Sequence, residues 1–221
     1  MTPYRRILPL AAGLALSTPA FASDSQTWQT VGANVAIAPA VKLQAEMVLR
    51  ESEAKGLYEI EQTALLAYKT GNVTVAAGYV HNPQYDHGDF TVMEHRAREQ
   101  VTVDNIAKVG PFKLSARMRL EQRWREGAVG TGWRARPYVK ATAPLVGKLA
   151  LTLSHESFVN FNTTGFQKVS GYDRMRNAIA VSAPLAKGVT MEVGYLNQHG
   201  FVRNGPDTSN NVLTTGITFS F

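Results

Sequence analysis

Between Phe112 and Arg125 the chain sorts its side chains by parity. Phe112, Leu114, Ala116, Met118, Leu120 and Trp124 fall on one side; Lys113, Ser115, Arg117, Arg119, Glu121, Arg123 and Arg125 fall on the other. Side chains alternate across a strand but wind around a helix. A helix would scatter these arginines about its circumference, so the segment is a strand with one apolar and one charged face. The same period of two recurs near residues 27–38, 41–50, 57–69, 72–81 and 90–103, then at 132–143, 148–160, 169–183, 189–199 and 210–221. At 41–50, for example, Val41, Leu43, Ala45, Met47 and Leu49 oppose Lys42, Gln44, Glu46 and Arg50.

The connections alternate in length. Those at 38–40, 70–72, 107–111, 144–147 and 184–188 are short and contain Gly or Pro. Those at 51–56, 80–89, 126–131, 161–168 and 200–209 are mostly longer and polar. Outside the N-terminal leader no stretch is long and apolar enough for a membrane helix. Only helices and closed barrels satisfy their backbone in lipid. The expected fold is therefore all-β: a transmembrane antiparallel β-barrel of about 10–12 strands, with short periplasmic turns and longer extracellular loops. Eleven segments can be counted, whereas single-chain bacterial barrels have even numbers. Either a strand escapes the pattern, or segment 27–38 sits inside the barrel or across its mouth.

Both ends of the chain address it to the envelope. Arg5 and Arg6, the apolar run Ile7–Leu16 and the small residues of Ala20-Phe21-Ala22 form a secretory signal peptide, residues 1–22, cleaved after Ala22. Residues 23–221 then form the barrel. At the other end Leu213, Thr215, Ile217, Phe219 and Phe221 share a face. A terminal aromatic on such a strand resembles an assembly signal, so Phe221 is expected to be read by the barrel-assembly machinery. The expected destination is the cell outer membrane of a Gram-negative bacterium, with its lipids as partners. Losing Arg5 and Arg6 lowers Lys plus Arg from 23 to 21 against 17 acidic residues, a net charge of +4. That is too mild and too evenly spread for nucleic-acid binding. With no cysteine, disulfides, thiolate metal sites and cysteine nucleophiles are excluded.

Several stretches resemble a known family. They are Arg117-Met118-Arg119-Leu120-Glu121-Gln122-Arg123, Trp133-Arg134-Ala135-Arg136-Pro137 and Glu156-Ser157-Phe158-Val159-Asn160. Arg174-Met175-Arg176-Asn177 and Gly194-Tyr195-Leu196-Asn197-Gln198 follow in the same order, with Trp28 and Glu94-His95-Arg96 before them. On these residues the chain resembles the bacterial barrel group called domain of unknown function 2490. The resemblance implies an outer-membrane barrel and carries over no activity.

If the apolar faces meet lipid, the charged faces point inward. A charge network of Glu94, Arg96, Arg98, Arg117, Arg119, Glu121, Arg123, Arg134, Arg136, Glu156, Arg174 and Arg176 then lines the lumen. Ten to twelve strands enclose a narrow space, and charges of both signs there must pair. The primary expectation is a structural or anchoring barrel plugged by ion pairs. The alternative is a narrow anion-preferring pore for small solutes, since an arginine excess favours anions.

A second alternative is a lipid-acting hydrolase. His155 and Ser157 share an outward face with Leu149, Leu151 and Leu153, a spacing that loosely resembles the outer-membrane lipid A deacylases. Phe158 stands where that family has Asn, and no carboxylate is evident to orient His155. A strand-end pair near the lipid interface is the simpler reading, and no enzyme activity is expected. His81, Asp86, His87 and Asp89 crowd segment 80–89, but such residues are ordinary in connections, and no metal or cofactor is expected. Trp28, Trp124, Trp133, Tyr58, Tyr68, Phe219 and Phe221 are expected to form interfacial belts.

Overall fold

In a computed structural model, which describes residues 24–221, the alternation becomes burial. From Glu61 to Ala67 every odd residue is buried and every even one exposed. The signal-peptide residues 1–22 lie outside the described residues. Among the described residues there are eleven strands and no helix. They are β1 (Asp24–Ala38), β2 (Val41–Ser52), β3 (Gly56–Thr70), β4 (Val73–Asp86), β5 (Asp89–Val109) and β6 (Phe112–Arg125), then β7 (Gly132–Pro144), β8 (Ala150–Asn160), β9 (Gly171–Ala186), β10 (Val189–Gly200) and β11 (Thr208–Ser220). Each pairs antiparallel with its sequence neighbours, and β1 pairs with β11 to close the barrel.

The strand count falls within the expected range, and the parity problem resolves at the seam. Eleven up-and-down strands leave the first and last running the same way. β1 and β11 therefore pair parallel, in register from Asp24↔Asn210 to Asn34↔Ser220. Segment 27–38 is thus part of the wall, neither inside the barrel nor across its mouth. Phe221 extends the seam: its N–H donates to Asn34 O at 2.9 Å, and its carbonyl accepts from Ala36 N at 3.1 Å.

Parts of several expected connections are strand instead, 184–186 at the end of β9 among them. Residues 80–86 continue β4, which pairs with β5 through Asp86↔Asp89, so only His87 and Gly88 make the turn. Likewise β5 runs past residue 103 to Val109. It contains a register shift between Val103 and Ala107, where Asn105 adopts φ 52°. Such a bulge inserts residues without ending the ladder. These longer strands leave turns at Gly71-Asn72 and Gly110-Pro111, where the two glycines take φ of 57° and 55°, left-handed conformations open to glycine.

Val31 of β1 and Ile217 of β11 are directly paired and outward-facing. The chain has no native cysteine to interfere. A Val31→Cys/Ile217→Cys double variant should cross-link with a short thiol reagent in the folded state. Val31→Cys/Leu213→Cys should not, because four residues along a strand add about 13 Å. Equal cross-linking of both pairs would disprove the parallel register.

Candidate functional site

Register brings opposite charges together inside the barrel. Glu121 of β6 stands opposite Arg98 of β5 on one side and Arg134 of β7 on the other. Its carboxylate accepts from Arg98 at 2.8 Å, Arg134 at 2.5 Å and Arg136 at 2.9 Å. Arg136 also binds Glu156 at 2.9 Å, which Arg117 reaches at 2.6 Å and Arg176 at 3.8 Å. In the other direction Arg98 binds Glu61 at 2.8 Å. Glu61 also holds Arg96 at 2.9 Å and Arg50 at 3.3 Å, and Arg50 pairs with Glu59. Arg96 leads to Glu94 at 2.7 Å, where Arg123 at 2.9 Å and Arg125 at 2.8 Å complete the chain. The ion pairs thus form one connected network. Glu94 and Glu121 are 0% exposed and Arg98 is 1%.

Two anticipated members stand apart. Arg119 has no carboxylate within ion-pair distance among the described residues; it donates to Gln100 Oε1 at 2.9 and 3.1 Å. Arg174 pairs with the adjacent Asp173 at 2.9 Å. The others of the anticipated set all belong to the network. Glu59, Glu61, Arg50 and Arg125 join it too, and their inward parity was the signal for them.

The network holds more arginines than glutamates, and aromatic faces take up the excess. Phe158, 1% exposed, has Arg136 at 4.5 Å, Arg176 at 4.7 Å, Arg134 at 5.3 Å and Arg174 at 5.6 Å from its ring centre. Trp28 takes Arg50 and Arg176, both at 4.5 Å. A guanidinium over a desolvated ring gains roughly 0.5–2 kcal/mol. Trp28 Nε1 also donates to Tyr58 OH at 2.9 Å, and Trp28 is buried with Val48 and Val212. Trp28 and Tyr58 are therefore interior groups, which corrects their assignment to an interfacial belt: Trp28 lies on the inward parity of β1, where arginines supply partners, and Tyr58 is carried to it by the register shift between β2 and β3.

One end of the interior is capped by the connection 161–170. Its Gln167, buried, accepts from Arg123 at 3.1 Å and donates to Asn162 O at 2.8 Å. Phe166 lies 5.3 and 5.1 Å beneath the guanidinium groups of Arg123 and Arg125. Gly165 N bonds Val129 O of the neighbouring connection at 3.1 Å. Nearer the short turns a cavity of about 220 Å³ remains, lined by Arg98, Arg117, Arg119, Gln100, Gln44 and Asn34.

The outside is apolar, with Leu66, Val101, Met118, Val139, Ile179 and Leu213 all exposed. Two polar seams interrupt it. One holds His81 opposite His95 and Glu99 beside Gln122. The other holds His155, Ser157 and Asn177 on β8 and β9. In the last long connection Asp207 accepts from Val202 N at 2.9 Å and His199 Nε2 at 3.1 Å, contacts that hold its carboxyl below the usual range. Residues Asp86, His87 and Asp89 sit at the tip of the β4–β5 hairpin, away from the wall position of His81. No cluster of three metal-ligating side chains occurs among the described residues.

These features define a closed β-barrel with a charged, tightly paired interior. The chain belongs to the family described as protein of unknown function (DUF2490), whose model matches residues 25–210. An uncharacterised protein of Methylorubrum extorquens is 33% identical over 119 residues, covering 48% of this chain and 52% of that relative. The chain thus spans about half the length of the curated relative it matches.

Glu121→Gln keeps the side-chain shape but leaves three arginines short of a carboxylate. It should lower unfolding stability by about 3–5 kcal/mol, the cost of breaking a buried pair from one side. Arg119→Gln, which removes a charge with no ion-pair partner, should cost far less. Denaturant midpoints of the refolded variants check the order, and equal losses would refute this partition of the interior.

Proposed function

We propose that the chain is an integral outer-membrane β-barrel acting as a structural or anchoring element, with its lumen sealed by the Arg/Glu network. The observation carrying this reading is the inversion of a water-soluble design: a closed sheet whose apolar face is outside and whose charges are enclosed. In water such an exterior is an association hazard. In lipid it is required, because closure leaves no unpaired strand edge. Residues 1–22 supply the leader for export, and 23–221 the barrel. Phe221, at the seam, presents the terminal aromatic to the barrel-assembly machinery.

The polar connections of the longer set face the cell exterior, and outer-membrane lipids cover the wall. The anion-pore alternative is disfavoured by the 0–1% exposure of Glu94, Glu121 and Arg98 across the interior and by the Phe166–Gln167 cap.

The mature protein should fractionate with the outer membrane, lack residues 1–22 and migrate faster on gels when unboiled. Recovery as a soluble periplasmic protein would overturn the proposal. Met118, 52% exposed and paired with Val101 and Pro137, is a clean probe of the lipid face. Leu120 is less suitable, because Glu99 lies opposite it and would pair with an introduced cation. Met118→Arg should destabilise the bilayer-refolded barrel by about 2–4 kcal/mol. Planar-bilayer recordings of the wild type should stay at baseline; steady conductance would replace the sealed barrel with a pore.

A further inference from the structure

We propose that the outward face of β8 and β9 is a serine esterase site, with Ser157 as nucleophile and His155 as general base, acting on carboxylic esters of membrane lipids. The site goes beyond the anchoring role and rests on the proposal that this exterior meets lipid.

Its geometry is a hydrogen-bonded series across two strands. His155 stands directly opposite Asn177. Asn177 Oδ1 lies 2.7 Å from His155 Nδ1. An amide oxygen only accepts, so Nδ1 carries the proton and Nε2 presents its lone pair. Nε2 lies 2.9 Å from Ser157 Oγ and accepts the serine proton. On the far side of Ser157 the Tyr172 hydroxyl donates to Oγ at 2.8 Å. Its ring is set by Phe201, 5.1 Å away between centroids. A nucleophile, a base within hydrogen-bond reach and a third group orienting the base are the elements of covalent acyl transfer. An amide can orient the base as a carboxylate does.

The surroundings specify the substrate. Two grooves on the barrel's exterior meet at His155 and Val139. One, about 830 Å³, runs along Ile106, Leu114, Ala141, Leu153 and Ile179. The other, about 320 Å³, is lined by Val101, Val103, Ala116, Met118 and Ser157. Polar side chains such as Asn177, Asn197 and Tyr195 border the larger groove, but the surface that both grooves present is mainly apolar, which suits acyl chains. Ser157 stands three residues from the long-connection end of β8, a depth suited to the ester linkage of an outer-leaflet lipid.

In the reaction Ser157 Oγ bonds to the ester carbonyl carbon as its proton passes to His155 Nε2. The carbonyl electron pair moves to oxygen, facing the Tyr172 hydroxyl. Collapse breaks the bond to the alcohol, which leaves with the proton from His155. Water then adds to the acyl-serine, His155 takes and returns its proton, and the fatty acid departs with Ser157 restored. The net change is ester plus water to acid plus alcohol.

The test uses the refolded mature barrel in detergent, a fluorophosphonate probe and p-nitrophenyl esters, with vesicle flotation alongside. Wild type should be labelled at Ser157 and should cleave the palmitate ester in preference to the acetate. Ser157→Ala and His155→Gln should lose about 100-fold or more while still folding by gel mobility. Asn177, a positioning residue, is tested through Asn177→Asp. A carboxylate on Nδ1 holds the imidazole proton more tightly, so the acid limb of the pH–rate profile should move to higher pH. A folded, floating wild type that neither takes label nor cleaves palmitate overturns the site and leaves the membrane reading standing. Cleavage unchanged in Ser157→Ala also overturns the site. Labelling in a barrel that does not float overturns the membrane reading, and lipid as substrate with it.

Discussion

The parallel seam between β1 and β11 is the constraint on which the barrel depends. Every strand of a closed sheet needs two partners, and an unpaired edge exposes a row of N–H and C=O groups. An even barrel closes antiparallel, with both termini at one end. Eleven strands require a parallel join, which places Asp24 and Phe221 at opposite ends. Closure is anchored at the C-terminal end by a dense set of backbone bonds. Besides the Phe221 contacts with β1, Ser220 N donates to Gly188 O at 2.7 Å, tying the same terminus to the β9–β10 turn. The backbone of Phe221 is thus bound on the side where the barrel shuts.

Enclosed charge is an expensive way to fill a barrel, since desolvation opposes the Coulomb gain. Its benefit here is register. A slip of one residue in any strand moves its whole inward set to the outside. For β6 that would expose Arg117, Arg119, Glu121 and Arg123 together and enclose Met118 and Trp124. The fit of Glu121 between Arg98 and Arg134, repeated for Glu94 opposite Arg125 and Glu156 opposite Arg176, penalises every such slip. Aromatic rings complete the arrangement without further carboxylates. Phe158 alone faces four guanidinium groups, and a ring face accepts cations from several directions where a carboxylate has a few lone-pair sites.

Parity was the legible part. Because one rule governs every strand, the facing of Leu114, Met118, Arg117 and Glu121 could be read from spacing alone, as could the joining of Glu94, Glu121 and Glu156 by arginines. Three things were hidden for physical reasons. Hairpin length was one: residues 80–86 are rich in turn formers, yet tertiary pairing with β5 carries them as strand. The interior position of Trp28 was another, since an aromatic near a strand end fits an interfacial belt equally well until its arginine partners are known. The role of Asn177 was the third. It lies 22 residues from His155 in sequence, and only the β8–β9 register makes them neighbours.

The two polar seams on the apolar exterior differ in how they end, and that difference confines the chemistry to one of them. Around His95 the contacts end on acids and a phenol, and the neighbouring His81 Nδ1 is buried without a hydrogen-bond partner among the described residues. Tyr79 OH bonds Nδ1, and Glu126, on a connection, lies 4.0 Å from Nε2. Gln122 donates to Glu99 at 3.4 Å. That seam terminates on carboxylates and a phenol, none of them an activated alcohol. Around His155 the order is reversed. The neutral, exposed Asn177 is at the outer end, and the series runs through imidazole to a half-buried serine at the mouth of two apolar grooves. A satisfied interfacial pair needs neither the fixed tautomer nor the second hydroxyl from Tyr172. Acyl transfer uses both: the tautomer to accept the serine proton, the phenol to meet the charge that forms on the carbonyl oxygen.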